Sequence, residues 1–142
     1  VSLYISIQLQ RQVREQFAGC CAYCRSAEVL SVCTYEIEHI VPVSAGGPTS
    51  IENLCLSCPT CNRLKGARTI VTDPLTGRDA SIFHAQNDDW ETHFSWNASG
   101  TEIVSQTATG RGTIELLRMN RPALVELRLI WVAANRHPPF AR

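Results

Sequence analysis

Two Cys-x-x-Cys pairs, Cys21/Cys24 and Cys58/Cys61, have 33 residues between them in this chain. Each pair can grip a metal ion from a tight knuckle, and four thiolates make the closed tetrahedral shell that structural zinc prefers. Two other readings fit the same residues: an iron site of the rubredoxin kind, and cysteines that are simply small buried hydrophobes. The chain has 7 cysteines. An odd number leaves at least one thiol over in any disulfide scheme, which favours metal binding. Cys20 adjoins Cys21 and Cys55 lies three residues before Cys58, so each competes for a ligand position. Cys33 reads as a buried strand residue.

Between the knuckles run Glu38-His39-Ile40-Val41-Pro42, then Gly46-Gly47, then Asn53-Leu54; the second knuckle continues into Cys61-Asn62-Arg63-Leu64-Lys65. Over residues 20–68 this order resembles the HNH endonucleases. Their pattern is an acid-His pair on a first strand, an Asn on a second strand, and an Asn or His on a helix, bracketed by zinc knuckles. A looser likeness to extensions in a bacterial branch of that family covers His93-Phe94-Ser95-Trp96 and Asn120-Arg121-Pro122. The resemblance implies a ββα-metal core and cleavage of phosphodiester bonds with a catalytic divalent ion beside a structural zinc. Glu38 stands where the family more often has Asp, which leaves the catalytic ion open among Mg²⁺, Mn²⁺ and other divalent ions.

The chemistry can be argued from the residues as well. Phosphodiester hydrolysis needs an activated water, a cation on the developing charge, and help for the leaving oxygen. His39 titrates near neutrality and can take the proton from water. A hard cation wants oxygen ligands, here Glu38 and the amide oxygen of Asn62. Strand alternation sets Glu38 and His39 on opposite faces, so a bend before Pro42 must aim both at one phosphate. Glu36 shares the face of Glu38 and is a further candidate neighbour of the ion. Asn53 is expected to fix the hairpin and orient His39 through a hydrogen bond. Arg63, Lys65 and Arg68 follow the site and are expected to meet phosphates or form an ordinary solvated face.

The elements that must position these groups follow from patterning. Ile5, Leu9, Val13 and Phe17, four apart, predict a helix over residues 5–18, ended by Gly19. Strands are expected over residues 33–41 and 51–56, and a short helix from the second knuckle to about Gly66. Thr72 to Gly77 is turn chemistry. Residues 94–96 and 102–105 are expected to pair as a hairpin, residues 113–119 to make a helical turn or two, and Asn120 to cap a helix over 121–135 with Pro122 in its first turn. That last helix is mostly apolar, with Arg121, Arg128 and Asn135 as its polar stripe. Such a helix is normally buried on more than one side or docked on a partner. The fold expected is α+β in a single domain over 1–142: an HNH core at 20–68 stapled by zinc, an N-terminal helix, and a mixed hairpin and helical extension over 69–142 packed on the core.

With 142 residues the chain suffices for one domain. No apolar run is long enough for a membrane span, and Val1 to Leu9 are too short and too polar for an export signal. The cysteine usage favours a reducing compartment, the cytoplasm. Net charge is zero, which argues against a strong nonspecific grip on nucleic acid. Its distribution is uneven: +1 over residues 1–72, −5 over 73–102 and +4 over 103–142, and all cations but Lys65 are Arg. The partner expected is DNA, with RNA left open, and a homodimer through the 121–135 helix. The competing reading is a zinc-ribbon module that binds nucleic acid or protein without catalysis.

Overall fold

The computed structural model describes residues 4–139, so the first three residues of the stretch weighed as an export signal lie outside it. The described residues are mixed α+β, with three two-stranded sheets and helices between them. Helix α1 spans Ile7–Gln16. Ser6 caps it, its Oγ accepting from the Leu9 N–H, and the chain leaves it through left-handed Ala18 and Gly19. Val13 and Phe17 are buried as the four-residue spacing requires, with Ile5 and Leu9 packed beside them.

Strands β1 (Glu36–His39) and β2 (Leu54–Ser57) pair antiparallel, with Glu38 opposite Cys55 and His39 opposite Leu54. The first strand is shorter than expected. Cys33 lies in a bend before it and is exposed, a correction to its reading as a buried strand residue. The second also starts late, because Ile51–Asn53 forms a 3-10 turn. Helix α2 (Pro59–Lys65) follows β2 directly; Cys58 caps it, Pro59 opens it and Gly66 ends it.

The rest of the chain wraps this unit. Strands β3 (Ile70–Thr72) and β4 (Asp79–Ser81) form a hairpin around the expected turn. Helix α3 (Trp90–His93) leads into β5 (Ser95–Trp96), which pairs with β6 (Ile103–Val104) in the hairpin expected over residues 94–96 and 102–105. Helix α4 (Ala108–Leu117) is longer than expected and packs against α2 and β3. Helix α5 (Pro122–Ala133) lies close to its expected place, but Asn120 does not cap it. Its side-chain amide instead pairs with the backbone N–H and C=O of Ile103. The buried apolar cluster runs from Val13 to Trp131, so the later elements share a core with the first 68 residues. Trp90 makes one such joint, its indole N–H donating 2.9 Å to the Tyr23 carbonyl.

Helix α5 buries one residue of its polar stripe and leaves apolar residues outside. Leu124, Arg128 and Trp131 face inward, whereas Leu127, Leu129 and Ile130 are exposed. The residue assigned by type to the polar stripe, Arg128, is wholly buried. Among the described residues no helix is long and apolar enough to cross a membrane.

Candidate metal centre and active site

The sulfurs of Cys21, Cys24, Cys58 and Cys61 all lie within 4.8 Å of one another, and all four side chains are buried. The knuckles are held together before any ion is considered. The Ala22 N–H donates to the Leu56 carbonyl at 2.8 Å, tying the first knuckle to β2, and Cys58 anchors the second at the start of α2. A tetrahedral zinc with bonds of about 2.3 Å sets its sulfurs about 3.8 Å apart. Cys24 and Cys58 lie at that spacing, 3.8 Å. The donor set therefore fits zinc. Neither competitor takes a place in it: Cys20 donates to the Ala18 carbonyl, and Cys55 lies against Tyr23 and Glu38.

Two arginines from α5 and its cap reach this centre, and sequence reasoning did not assign either to it. Arg121 Nη2 is 3.9 Å from Cys58 Sγ. Arg128 donates to the Cys24 carbonyl at 3.3 Å, while burial brings its pKa down to about 10, leaving it cationic at neutral pH. The only local signal was the Asn120-Arg121-Pro122 motif.

The polar residues of the ββα unit sort onto two faces. On the face covered by α2, Glu36 and Glu38 each meet a different helix residue. Asn62 Nδ2 donates 2.6 Å to Glu36 Oε2 at the surface, and Lys65 Nζ lies 2.8 Å from Glu38 Oε1 in the interior. Glu38 also accepts from the Tyr23 hydroxyl at 3.3 Å and lies 3.5 Å from the Cys55 thiol. Burial raises the Glu38 pKa, and the Lys65 ammonium opposes that rise. Asn62 thus meets Glu36 rather than the expected Glu38. Lys65 is 0% exposed and also donates to the Ile40 carbonyl, so it corrects the expectation of a phosphate contact or a solvated face. Arg63 and Arg68 are exposed.

His39 points the other way. It is partly exposed, and its Nε2 lies 2.8 Å from the Thr49 hydroxyl. Burial lowers its pKa, which favours the neutral imidazole at neutral pH. Thr49, unmarked in the sequence, is the partner expected to be Asn53. Asn53 instead clamps backbone: its Oδ1 accepts from the Val41 N–H, and its Nδ2 donates to the Val41 and Pro48 carbonyls at 3.0 and 2.9 Å. It fixes the loop that carries Thr49, and its hydrogen bonds go to Val41 and Pro48 rather than to His39.

A partly exposed imidazole at a strand end, a surface carboxylate bonded to a side-chain amide, and four clustered buried cysteines thus lie within one ββα unit. Residues 21–68 match the family model of the HNH endonuclease. Comparison with curated proteins and with solved structures gives no match.

Proposed function

We propose, from the premise that residues 21–68 are an HNH endonuclease domain, that this protein hydrolyses phosphodiester bonds in DNA, nicking one strand with weak sequence preference. The observation that carries this reading is His39: partly exposed at the end of β1, oriented by Thr49, and favoured in the neutral form. A neutral imidazole can take a proton from the attacking water. Glu36 and Asn62 suit a divalent ion, Mg²⁺ or Mn²⁺, through a carboxylate and an amide oxygen. When bound, that ion supplies positive charge to the phosphate and leaving oxygens. Glu38 could serve as a ligand only by leaving Lys65, so its place in this reading is to hold β1 against α2. Asn53 positions the loop that carries Thr49, and Arg63 and Arg68 are available to phosphates.

One HNH site cuts one strand, so a double-strand break needs two protomers or two visits. The exposed Leu127, Leu129 and Ile130 form the face through which a homodimer would assemble, and gel filtration tests it. The free thiols suit a reducing compartment such as the cytoplasm.

The test is nicking of supercoiled plasmid with Mg²⁺ or Mn²⁺ by the wild type and by His39→Ala prepared identically. Conversion to open circles by the wild type alone supports the reading. If neither protein cuts plasmid or an RNA substrate while both stay folded with zinc bound, the non-catalytic zinc-ribbon module replaces it.

A further inference from the structure

A buried cation needs an anion, and Arg128 has no carboxylate. Its side chain is 0% exposed, and none of the ion pairs among the described residues includes it. Its guanidinium donates to neutral acceptors: from Nη1 to the Thr101 carbonyl and Asn120 Oδ1 at 3.0 and 3.1 Å, from Nη2 to the Met119 and Cys24 carbonyls at 2.7 and 3.3 Å. The Trp96 ring lies 5.0 Å below it, and its Nε has no acceptor. Carbonyl dipoles and a ring face offset part of the desolvation of a charge, but a full charge in the interior is normally balanced by another.

The structure offers one concentration of negative charge nearby. Four thiolates around a divalent ion carry two net negative charges. Arg128 bonds the backbone of one of these cysteines, Cys24, and Arg121, at the start of the same helix, approaches the sulfur of another, Cys58, at 3.9 Å.

Resting on the zinc reading of the four cysteines, we propose that Arg121 and Arg128 are the counter-cations of the metal–tetrathiolate centre. Helix α5 is then an electrostatic part of the metal site, and the residues after 68 contribute to metal retention as well as to packing. Both arginines are positioning residues: they act on the metal through the cysteines. The charges match, two guanidiniums against two net negative charges. The arrangement also explains why a mostly apolar helix turns its arginine inward and leaves Leu129 and Ile130 outside.

The test loads the full chain with Co²⁺ in place of zinc and compares wild type, Arg121→Gln, Arg128→Gln, Arg128→Lys and Leu124→Ala. Two quantities are read: the position of the sulfur-to-cobalt charge-transfer band, and the rate of metal transfer to an excess of chelator. Loss of a cation raises the energy of the sulfur electrons. The band should therefore move to longer wavelength and transfer should quicken by about tenfold, the effect of one opposite charge at this range. Arg128→Lys, which keeps the charge with fewer hydrogen bonds, should stay closer to wild type than Arg128→Gln. Leu124→Ala, which loosens the same helix without changing charge, should leave the band in place. A wild-type band and transfer rate in folded Arg121→Gln overturns the proposal, and that variant decides the matter if Arg128→Gln does not fold. Equal displacement by Lys and Gln at 128 overturns it for Arg128. A protein that takes up no cobalt on its thiolates fails at the earlier step, the metal reading itself.

Discussion

Lys65 Nζ lies 2.8 Å from Glu38 Oε1, and the two side chains are 0% and 4% exposed. A strand residue and a helix residue thus lock the two halves of the ββα unit from inside. Removing one partner of a buried pair leaves the other charge without compensation and costs about 3–5 kcal/mol, whereas replacing both with apolar groups is often close to neutral. Lys65→Met should therefore destabilise by about that amount, and Lys65→Met combined with Glu38→Leu should recover most of it. Denaturant unfolding measures both. The same pair separates two catalytic assignments. Glu36→Gln should raise the Mg²⁺ concentration needed for half-maximal cleavage with stability unchanged, whereas Glu38→Gln should act first on stability. The reverse pattern would return the ligand role to Glu38.

His39 makes a signed prediction about pH. Burial lowers its pKa from the ordinary 6.5, so the imidazole is neutral and basic at pH 7. The logarithm of kcat/KM should rise with pH through a value below 6.5 and level off before neutrality. A rise centred above 6.5 would assign the base elsewhere. Thr49→Val removes the hydroxyl that orients the ring and should lower the rate about five- to tenfold, the worth of one hydrogen bond, without moving the pH midpoint much.

Asn53 satisfies three backbone groups of Val41 and Pro48 from a buried position. Asn53→Ala would strand them and should cost about 2–4 kcal/mol. Gly47 lies in the same loop, and a methyl there would strike the Val41 carbonyl and fall 2.8 Å from Asn53 Nδ2. Gly47→Ala should therefore reproduce the Asn53→Ala phenotype, and the double variant should be less than additive because both break one clamp. Thermal unfolding and plasmid nicking report it together.

These residues also mark how far the sequence could be read. The metal cluster, α1 and α2 were legible because their signals are local: two knuckles, a four-residue apolar spacing, and a Pro opening with a Gly ending. The partnership of Asn62 was not. Glu36 and Glu38 share one strand face, and Asn62 and Lys65 share one helix face, but which pairs with which depends on how the helix sits along the strand. Lys65 was read, by residue type, as a phosphate contact or a solvated group, and Arg128 only as part of a polar stripe. Arg128 is buried by a contact with Cys24, 104 residues away, which no local pattern records. Helix α4 was hidden by Gly110 and Gly112, poor helix formers. Their reason is tertiary: a Cβ at Gly110 would fall 2.6 Å from the His93 carbonyl, and one at Gly112 would strike Val71.

Asp73 lies in the turn between β3 and β4 and is gripped from α4. Arg111 Nε and Nη2 donate to its two oxygens at 2.9 Å each. Arg111 and the turn's N–H and hydroxyl donors hold its pKa well below the usual carboxylate range. For a carboxylate depressed in the folded state, the stability is present above its unfolded pKa, near 4, and is lost as pH falls through the folded value. Asp73→Asn should therefore lower stability at neutral pH and flatten its decline in acid. Unfolding midpoints taken from pH 6 down to pH 2 test the slope. An Asp73→Asn curve parallel to wild type would show that other carboxylates set the acid limb.

Zinc removal bears on the whole ββα unit, because β1, β2 and α2 comprise only four, four and seven residues. Elements so short bury too little apolar surface to fold alone, and the energy of closing a four-cysteine site belongs to folding itself. A strong chelator should therefore unfold the core around Cys21, Cys24, Cys58 and Cys61, seen as loss of dispersed amide signals from residues 20–68. Removal of the proposed, more weakly held catalytic ion should leave those signals in place. Single Cys→Ser changes sharpen the test. At any of the four clustered positions they should reduce zinc retained after dialysis against a competing chelator. At exposed Cys33, and at Cys20 and Cys55, which bond elsewhere, they should leave one zinc per chain. Loss of zinc in Cys55→Ser with Cys58→Ser unaffected would move the second knuckle, and retained structure after verified zinc removal would show that the apolar core alone carries the fold.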